Sequence, residues 1–338
     1  NEEADRERDA RDTSLFYVKP EIVVYPKNAL DISALLEYVS KKKSEGFDIA
    51  VAMRAAGTCM TGGPLSYSIV LDTTKYMNHV TNVTKMSATA EPGVFYRDFE
   101  KETLKEGWLM PSYPASRELA AIGGIVSNNS GGEKTLTYGK TENYVQSLDV
   151  VYASGKRDML HAFSGDDLTL KLAENSEGGR IHKEMFELIS NNYDTIMKAK
   201  PTVSKNSSGY YLWNVYNKDS GVFDLSKLIV GSQGTLAAVT SVTFTGVTPK
   251  LHSRMIVMFV PSTVHLGEIV VKMLEHKPET LESYDDHTFK IAIKFFKDIA
   301  LRMGGNMFTL GFQFLPEFFM ALTGGVPKII LMAEFTGD

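Results

Sequence analysis

Ten residues, Arg54 to Gly63, read RAAGTCMTGG and are followed by Pro64 and Leu65. They limit what this chain can fold into more than any other stretch. Ahead of them lies IAVAM, in which Ile49, Val51 and Met53 alternate as one face of a short strand does. A strand is therefore expected to deliver the backbone into a tight, glycine-rich turn. Gly57, Gly62 and Gly63 tolerate positive φ and leave the main chain open to close approach. Such a turn can aim successive N–H groups inward as an anion nest, with the Thr58 and Thr61 hydroxyls as further donors. That chemistry suits a phosphate or pyrophosphate, and the plainer alternative is an ordinary surface turn. No Lys-Ser/Thr pair follows the glycines, so the stretch is not a P-loop, and it is not the GxGxxG dinucleotide fingerprint.

A second stretch has the same character. Within PSYPASRELAAIGGIVSNNSGGEKTLTYG, Pro111 to Gly139, Ser116 stands as an N-cap for a short helix that begins at Glu118 and Leu119 and ends at Gly123 and Gly124. The IVSNNSGG that follows is built of small and amide-bearing residues that could lie flat against a large planar or phosphorylated ligand, or simply form a loop. A third candidate is KLIVGSQGTLAAVTSVTF, Lys227 to Phe244, where Gly231, Gly234 and Thr235 turn the chain toward a helix start and a strand.

The remaining elements frame these loops. EIVVY (Glu21 to Tyr25) reads as a strand, and Asn28 as the cap of a helix bearing Ile32, Leu35, Leu36 and Val39 that stops at Gly46. SIVLD is the next strand, and Thr81 to Ala90 alternates as one more. Pro92 and Gly93 then turn into a helix with Phe95, Phe99 and Leu104, ending at Gly107. Ser147 to Leu160 is a hairpin turning at Ser154-Gly155, and Ser164 to Lys200 is helical in pieces separated at Gly178-Gly179.

Near Pro249 the order of elements changes. A strand Arg254 to Val260, a helix capped by Ser262 and ended by Pro278, a strand TLESY, a helix begun by Asp285 or Asp286, and a strand Ile329 to Phe335 give a βαβαβ order. The Phe312 to Leu322 connection reads as core, or as a pocket-lining or membrane-contacting segment. A final strand three residues from the last one predicts that this second domain continues beyond Asp338. The missing initiator Met suggests a trimmed start, and NEEADRERDARD has no apolar core of a secretion signal.

Composition removes several function classes. The 338 residues, 43% hydrophobic, suffice for about two domains with a sizeable core. With 36 Lys+Arg against 41 Asp+Glu, the formal charge of −5 gives no electrostatic reason to bind nucleic acid. No run approaches the ~18 apolar residues of a transmembrane helix. A single cysteine, Cys59, excludes an internal disulfide, a CxxC pair or a cysteine-ligated cluster within this stretch. The seven histidines show no HxxxH or HxH spacing, so no metal site is expected. Glu282, Asp285, Asp286 and His287 either face a substrate or are the acids of a helix start.

The three motifs in order, RxxGTxxxGGPL, then PSYPAS…AAIGGIVSNNSGGEKTLTYGKTENYV, then KNSSGY with VGSQGTLA, resemble the FAD-linked oxidase family of the vanillyl-alcohol oxidase/p-cresol methylhydroxylase superfamily. Within it the chain is most similar to D-lactate, glycolate and D-2-hydroxyglutarate dehydrogenases, from DARDTSLFYVKPEIVVYPKN onward. The resemblance implies an α+β fold: a FAD-binding domain of two α+β subdomains over residues 1–248, then an incomplete ferredoxin-like α+β cap from 249 to 338. It implies that Ala55, Ala56, Gly57, Thr58, Cys59, Thr61, Gly62 and Gly63 take the pyrophosphate. Pro114, Ala115, Ser116, Ala121, Gly123 and Gly124 would lie along FAD, Ser127, Asn128, Asn129 and Ser130 would continue the contact, and Gly234, Thr235 and Leu236 would support the flavin or ribityl region. Lys205, Asn206 and Tyr210 would line the substrate pocket.

The implied activity is hydride transfer from the α-carbon of a 2-hydroxy acid to flavin, with a base taking the hydroxyl proton. The implied electron acceptors are a quinone, a cytochrome or an iron–sulfur module outside this stretch. Thr58 and Cys59 stand where members with covalent flavin carry a His, so dissociable FAD is expected. Gln233 replaces the usual Glu of GSEGTL. The histidine-rich segment that supplies the metal ligands and base of such dehydrogenases would fall beyond Asp338, so no catalytic residue is named. Localisation is expected to be cytoplasmic or peripheral at the inner face of the membrane. Oxidation of a sugar or other alcohol by oxygen, and a flavin-free binding module on the same fold, are the alternatives.

Overall fold

The computed structural model describes residues 2–203, 206–295 and 327–338. Lys205 and the Phe312 to Leu322 connection lie outside the described residues. Helices and strands combine in an α+β arrangement that separates into two compact units. One comprises Asn1–Gly132 and Gly139–Pro249, the other Glu133–Tyr138 and Lys250–Asp338.

Among the described residues the first unit holds two larger sheets and a two-stranded one, Tyr216–Asn217 with Val222–Phe223. Ile22–Val24, Ile69–Asp72 and Val51–Arg54 form a parallel three-stranded sheet with Ile69–Asp72 in the centre. The central strand is buried on both faces, which explains its unbroken apolar run. Helix Ala29–Ser44 begins where the sequence indicated: the Asn28 side chain accepts from the Leu30 and Asp31 amides, and Lys41, Lys42 and Lys43 occupy the last turn.

The second sheet is antiparallel, in the order Val80–Thr81, Ser87–Ala90, Ala238–Thr245, Val145–Val151, Arg157–His161. Along Ala238–Thr245, Val242 and Phe244 point inward while Ser241, Thr243 and Thr245 stay half-exposed, the alternation of a sheet covered on one face. Helix Tyr96–Lys105 lays Phe99 on that face. The Phe99 ring meets Phe244 at 5.5 Å and Trp108 at 6.1 Å, both edge-on, and all three are fully buried. Each such burial stabilises by about 1.5–3 kcal/mol. Ile32, Leu71, Met77, Val151 and Ala238 form one buried cluster that ties the parallel sheet and its helix to the antiparallel sheet.

In the second unit, His252–Val260, Ile329–Gly337 and Thr280–Asp285 form a sheet whose middle strand, Ile329–Gly337, runs antiparallel to both neighbours. Helices Leu266–Glu275 and Asp286–Lys294 connect the strands in βαβαβ order. Asp285 caps the second helix by accepting from the Thr288 amide, and Lys290 and Lys328 hold the Asp286 carboxylate down to about 2. The acidic cluster at this helix start is thereby engaged in capping and ion pairs. Glu133–Tyr138 belongs with this unit rather than with the first. Lys134 pairs with Glu279 at 2.7 Å, and Tyr138 donates to the same carboxylate at 3.2 Å.

Four local expectations fail for identifiable reasons. Thr81 to Ala90 is two short strands, because Asn82 takes positive φ and Thr84 folds back on Ser87. Residues 115–119 are turns, and the helix is Ile122–Ser127, with Gly123 and Gly124 inside it rather than at its end. The short helix Ser226–Ile229 precedes the Gly231–Gly234 turn instead of following it. Ser262 accepts from the Val264 amide ahead of helix Leu266–Glu275, whose N-cap position is His265. The described helices include none long and apolar enough to cross a membrane.

Candidate functional site

The strand Val51–Arg54 ends in the glycine loop, and the loop forms one wall of a cavity of about 630 Å3 in the first unit. That volume lies within the ~300–1,000 Å3 typical of small-molecule sites. Met53, Ile125, Ala237 and Val239 supply apolar lining, and Thr13, Thr58, Ser116, Ser127, Asn128 and Gln233 supply polar groups.

The loop's conformation is fixed from beneath. Gly57 has φ +68°, and a Cβ there would fall 2.3 Å from an Arg54 guanidinium nitrogen, so the guanidinium occupies the space a side chain would need. Arg54 is itself buried. Its Nη2 donates to the Arg11 carbonyl at 2.8 Å, and its Nε faces the Asp9 carboxylate at 3.5 Å. Arg8 reaches both Asp9, at 3.0 Å, and Asp72, at 3.3 Å. Burial pushes the Asp72 carboxyl up, and the Thr74 hydroxyl and amide oppose that shift. Two buried acids shared between two arginines thus anchor the loop to the N-terminal segment.

The other walls come from the second and third motifs. Gly123 approaches Pro92 so closely that a Cβ would stand 2.7 Å from the proline Cβ and 3.1 Å from its carbonyl oxygen. This contact seats helix Ile122–Ser127 against the turn at Pro92. The Gly231–Thr235 turn is pinned to the end of that helix by the Gly231 amide on Val126 O, 2.9 Å, and the Gln233 amide on Ser127 O, 2.8 Å. Gln233 adopts φ +57° and its side-chain amide donates to Asn128 at 3.2 Å.

Of the residues singled out in the sequence, Ala55, Ala56, Gly57, Thr58, Cys59, Thr61, Gly63, Pro114, Ala115, Ser116, Ala121, Gly123, Gly124, Ser127, Asn128, Ser130 and Gly234 line the cavity together. Gly62, Asn129, Thr235 and Leu236 do not line it. Asn129 is buried and its side-chain oxygen accepts from the Glu142 amide. Thr235 bonds the Tyr210 hydroxyl at 2.8 Å. Tyr210 and Asn206 are likewise off the cavity wall. The Asn206 carbonyl accepts from Lys140 at 2.6 Å and from the Tyr211 hydroxyl. Sequence reasoning missed Thr13, Met53, Pro92, Leu119, Ala120, Ala237 and Val239 as lining. Strand continuation past Leu236 could have pointed to Ala237 and Val239, whereas nothing local marks Thr13.

The cavity fits a dinucleotide with a pyrophosphate. Among the described residues, the amides of Gly57, Thr58, Cys59, Met60 and Gly63 donate to no protein acceptor, although these residues line the wall. Successive unspent amides on a turn are the donor set an anion requires. The lining at Gly63 and Gly124 is open, with no atom nearer than 3.4 Å and 3.8 Å to an added Cβ. The apolar lining at Met53, Ile125 and Val239 suits a planar ring system.

Comparison with known proteins agrees with this geometry. Residues 20–158 match the family described as FAD binding domain. The D-2-hydroxyglutarate dehydrogenase of Escherichia coli K12 is 25% identical over 244 residues, 70% of this chain and 23% of that protein. The D-lactate dehydrogenase of Archaeoglobus fulgidus is 29% identical over 224 residues, 66% of this chain and 38% of that protein. Glycolate oxidase subunit GlcD of Bacillus subtilis is 28% identical over 232 residues, 68% of this chain and 37% of its own length. The chain therefore spans about a quarter to two-fifths of these curated relatives. In fold it matches a solved alkyldihydroxyacetonephosphate synthase with a TM-score of 0.64 at 15% identity, over 99% of this chain and 52% of that one. Residues 20–158 thus resemble a FAD binding domain, and over about two thirds of its length the chain is similar to dehydrogenases and oxidases of 2-hydroxy acids.

Proposed function

We propose that this chain is the flavin-holding part of an enzyme that oxidises a 2-hydroxy acid of the D-lactate, glycolate or D-2-hydroxyglutarate type, with FAD bound non-covalently. The observation that carries the reading is the cavity wall of unspent amides at Gly57 to Met60 and Gly63, built on a FAD binding domain. Those amides, with Thr58 and Thr61, would hold the pyrophosphate. Pro114 to Ser116, Gly123, Gly124 and Ser127 to Ser130 would flank the cofactor, and Gly234 would let the chain approach its flavin end.

FAD, when bound, supplies a two-electron acceptor for the hydrogen on the carbon that bears the hydroxyl. The chain's own residues bind and orient. Met53, Ile125, Ala237 and Val239 would exclude water from the ring system, and the main-chain amides would neutralise the pyrophosphate. Asn206 and Tyr210 remain candidates for the substrate side, because the Tyr210 hydroxyl is tied to Thr235 in the turn that includes Gly234. The two-electron product leaves an acceptor to be found among a quinone, a cytochrome or an iron–sulfur module. A relative from Kluyveromyces lactis is named D-lactate dehydrogenase [cytochrome], which supports the second of these. The first unit would act as the FAD domain, and the second, Glu133–Tyr138 with Lys250–Asp338, as a cap.

The test is anaerobic addition of D-lactate, glycolate and D-2-hydroxyglutarate to the full-length, FAD-loaded protein. Bleaching of the flavin spectrum by one acid is the expected result. Bound flavin that none of them bleaches, but an alcohol or sugar does, would replace the hydroxy-acid reading.

A further inference from the structure

The charged opening of the chain has a feature that the family match does not cover. The match begins at residue 20, yet Asp12 and Thr13 make a set of hydrogen bonds to the glycine loop. The Thr13 amide donates to the Cys59 carbonyl at 3.1 Å. The Thr13 hydroxyl lies 2.8 Å from that same carbonyl and 3.0 Å from the Thr58 carbonyl. One Asp12 carboxylate oxygen accepts from the Gly62 amide at 3.0 Å, and the other accepts from the Ser14 amide at 2.8 Å. Phe16 completes the contact, its ring standing where a Gly62 side chain would begin, 3.0 Å from the Cβ position.

The choice of partners is selective. Within Gly57 to Gly63, Gly62 is the residue that does not line the cavity, and its amide is the one Asp12 takes. The carbonyls of Thr58 and Cys59 are taken by Thr13, which removes two of the loop's acceptors from competition. The amides of Gly57 to Met60 and Gly63 are left for a ligand. A loop with three glycines loses more conformational freedom on ordering than any other, so holding it in shape beforehand raises affinity for whatever it binds.

We propose that Asp12 and Thr13 are positioning residues for the pyrophosphate: an N-terminal clamp that presents the loop amides to a diphosphate ligand. The proposal rests on the reading that this cavity takes FAD. The carboxylate acts at the outer side of the turn and does not itself contact the ligand. A negative charge near a dianion is otherwise unfavourable, so the opposite role, in which Asp12 competes with the pyrophosphate, makes the opposite prediction.

The experiment is titration of FAD into the apo-protein, with ADP as a competitor that carries the diphosphate without the flavin. Asp12→Ala is expected to weaken FAD and ADP by the same factor, about ten-fold, equivalent to about 1.4 kcal/mol. Asp12→Asn keeps an acceptor for Gly62 and is expected to stay within about three-fold of wild type, because neutral hydrogen bonds retain about half the strength. Thr13→Val is expected to weaken both ligands and Thr13→Ser to restore them. A merely structural role would lower the apo-protein's melting temperature while leaving the affinity of the folded fraction unchanged. Equal FAD affinity in wild type, Asp12→Ala and Thr13→Val overturns the clamp, as does tighter binding in Asp12→Ala. Should Asp12→Ala fail to fold, Thr13→Val against Thr13→Ser decides by the same criterion. Wild-type protein that binds neither FAD nor ADP would instead remove the reading of the cavity itself.

Discussion

Gly63→Asp separates a loop that faces a pyrophosphate from one that is only a turn. Gly63 carries no positive φ, and a Cβ added there meets nothing nearer than the Cys59 sulfur at 3.4 Å. The structure can therefore accept a side chain at this position without moving its backbone, unlike Gly57. An aspartate at Gly63 would place a carboxylate on the cavity wall next to the unspent amides. Two like charges ~5 Å apart at an effective dielectric of ~20 repel by about 3 kcal/mol, a loss of about 200-fold in affinity for one phosphate charge. The neutral isostere Gly63→Asn controls for size and is expected to cost no more than about ten-fold. Isothermal titration with FAD, at two salt concentrations, reads both, and the gap between the two variants should narrow as salt rises. Equal FAD affinity in Gly63→Asp and Gly63→Asn would refute the reasoning, because the charge would then be remote from the pyrophosphate.

Other perturbations have definite outcomes. Asp9→Ala leaves the buried Arg54 guanidinium without its carboxylate and should destabilise by about 3–5 kcal/mol in chemical denaturation, with a change under 1 kcal/mol showing that the pair is not structural. His182 is fully buried, with Nδ1 on the Gly178 carbonyl at 2.8 Å, and burial lowers its basicity. The unfolded chain then takes a proton that the folded one resists, so His182 costs no stability above the ordinary histidine range but does so as pH falls below ~6.5. Melting temperature followed from pH 8 to pH 5 should drop more for wild type than for His182→Gln, and parallel curves would contradict this. Gly155→Ala combines a φ of +83° with a Cβ 2.6 Å from the Ser33 carbonyl of helix Ala29–Ser44, and should cost at least about 2 kcal/mol; an unchanged melting temperature would show that the turn does not press on that helix.

Much of the fold was legible because its signals are local. Asn28, Gly46, Ser154-Gly155 and Asp285 mark boundaries through their own backbone chemistry. Helix Ile122–Ser127 was misplaced because two consecutive glycines normally end a helix, whereas here Gly123 is required inside it by the approach of Pro92. The lining at Ala55 to Thr61, Gly63, Ser127, Asn128 and Ser130 was legible because glycines, small residues and amides announce close backbone approach, although Gly62 and Asn129 among them turn away from the cavity. Thr13, Arg54's partner Asp9 and the Asp12 contact to Gly62 were not, since they join residues about 45 to 50 positions apart and depend on the fold being complete. The assignment of Glu133–Tyr138 to the second unit likewise depends on Glu279, more than 140 residues later.

The most direct measurement is the visible spectrum of the purified protein after incubation with FAD and removal of the excess by gel filtration. A flavin spectrum that co-elutes with the chain, is released into solution on denaturation and is lost in Gly63→Asp is the expected result. Protein that elutes colourless after FAD addition would contradict the central claim that the loop from Arg54 to Gly63 and the walls around it form a non-covalent FAD site.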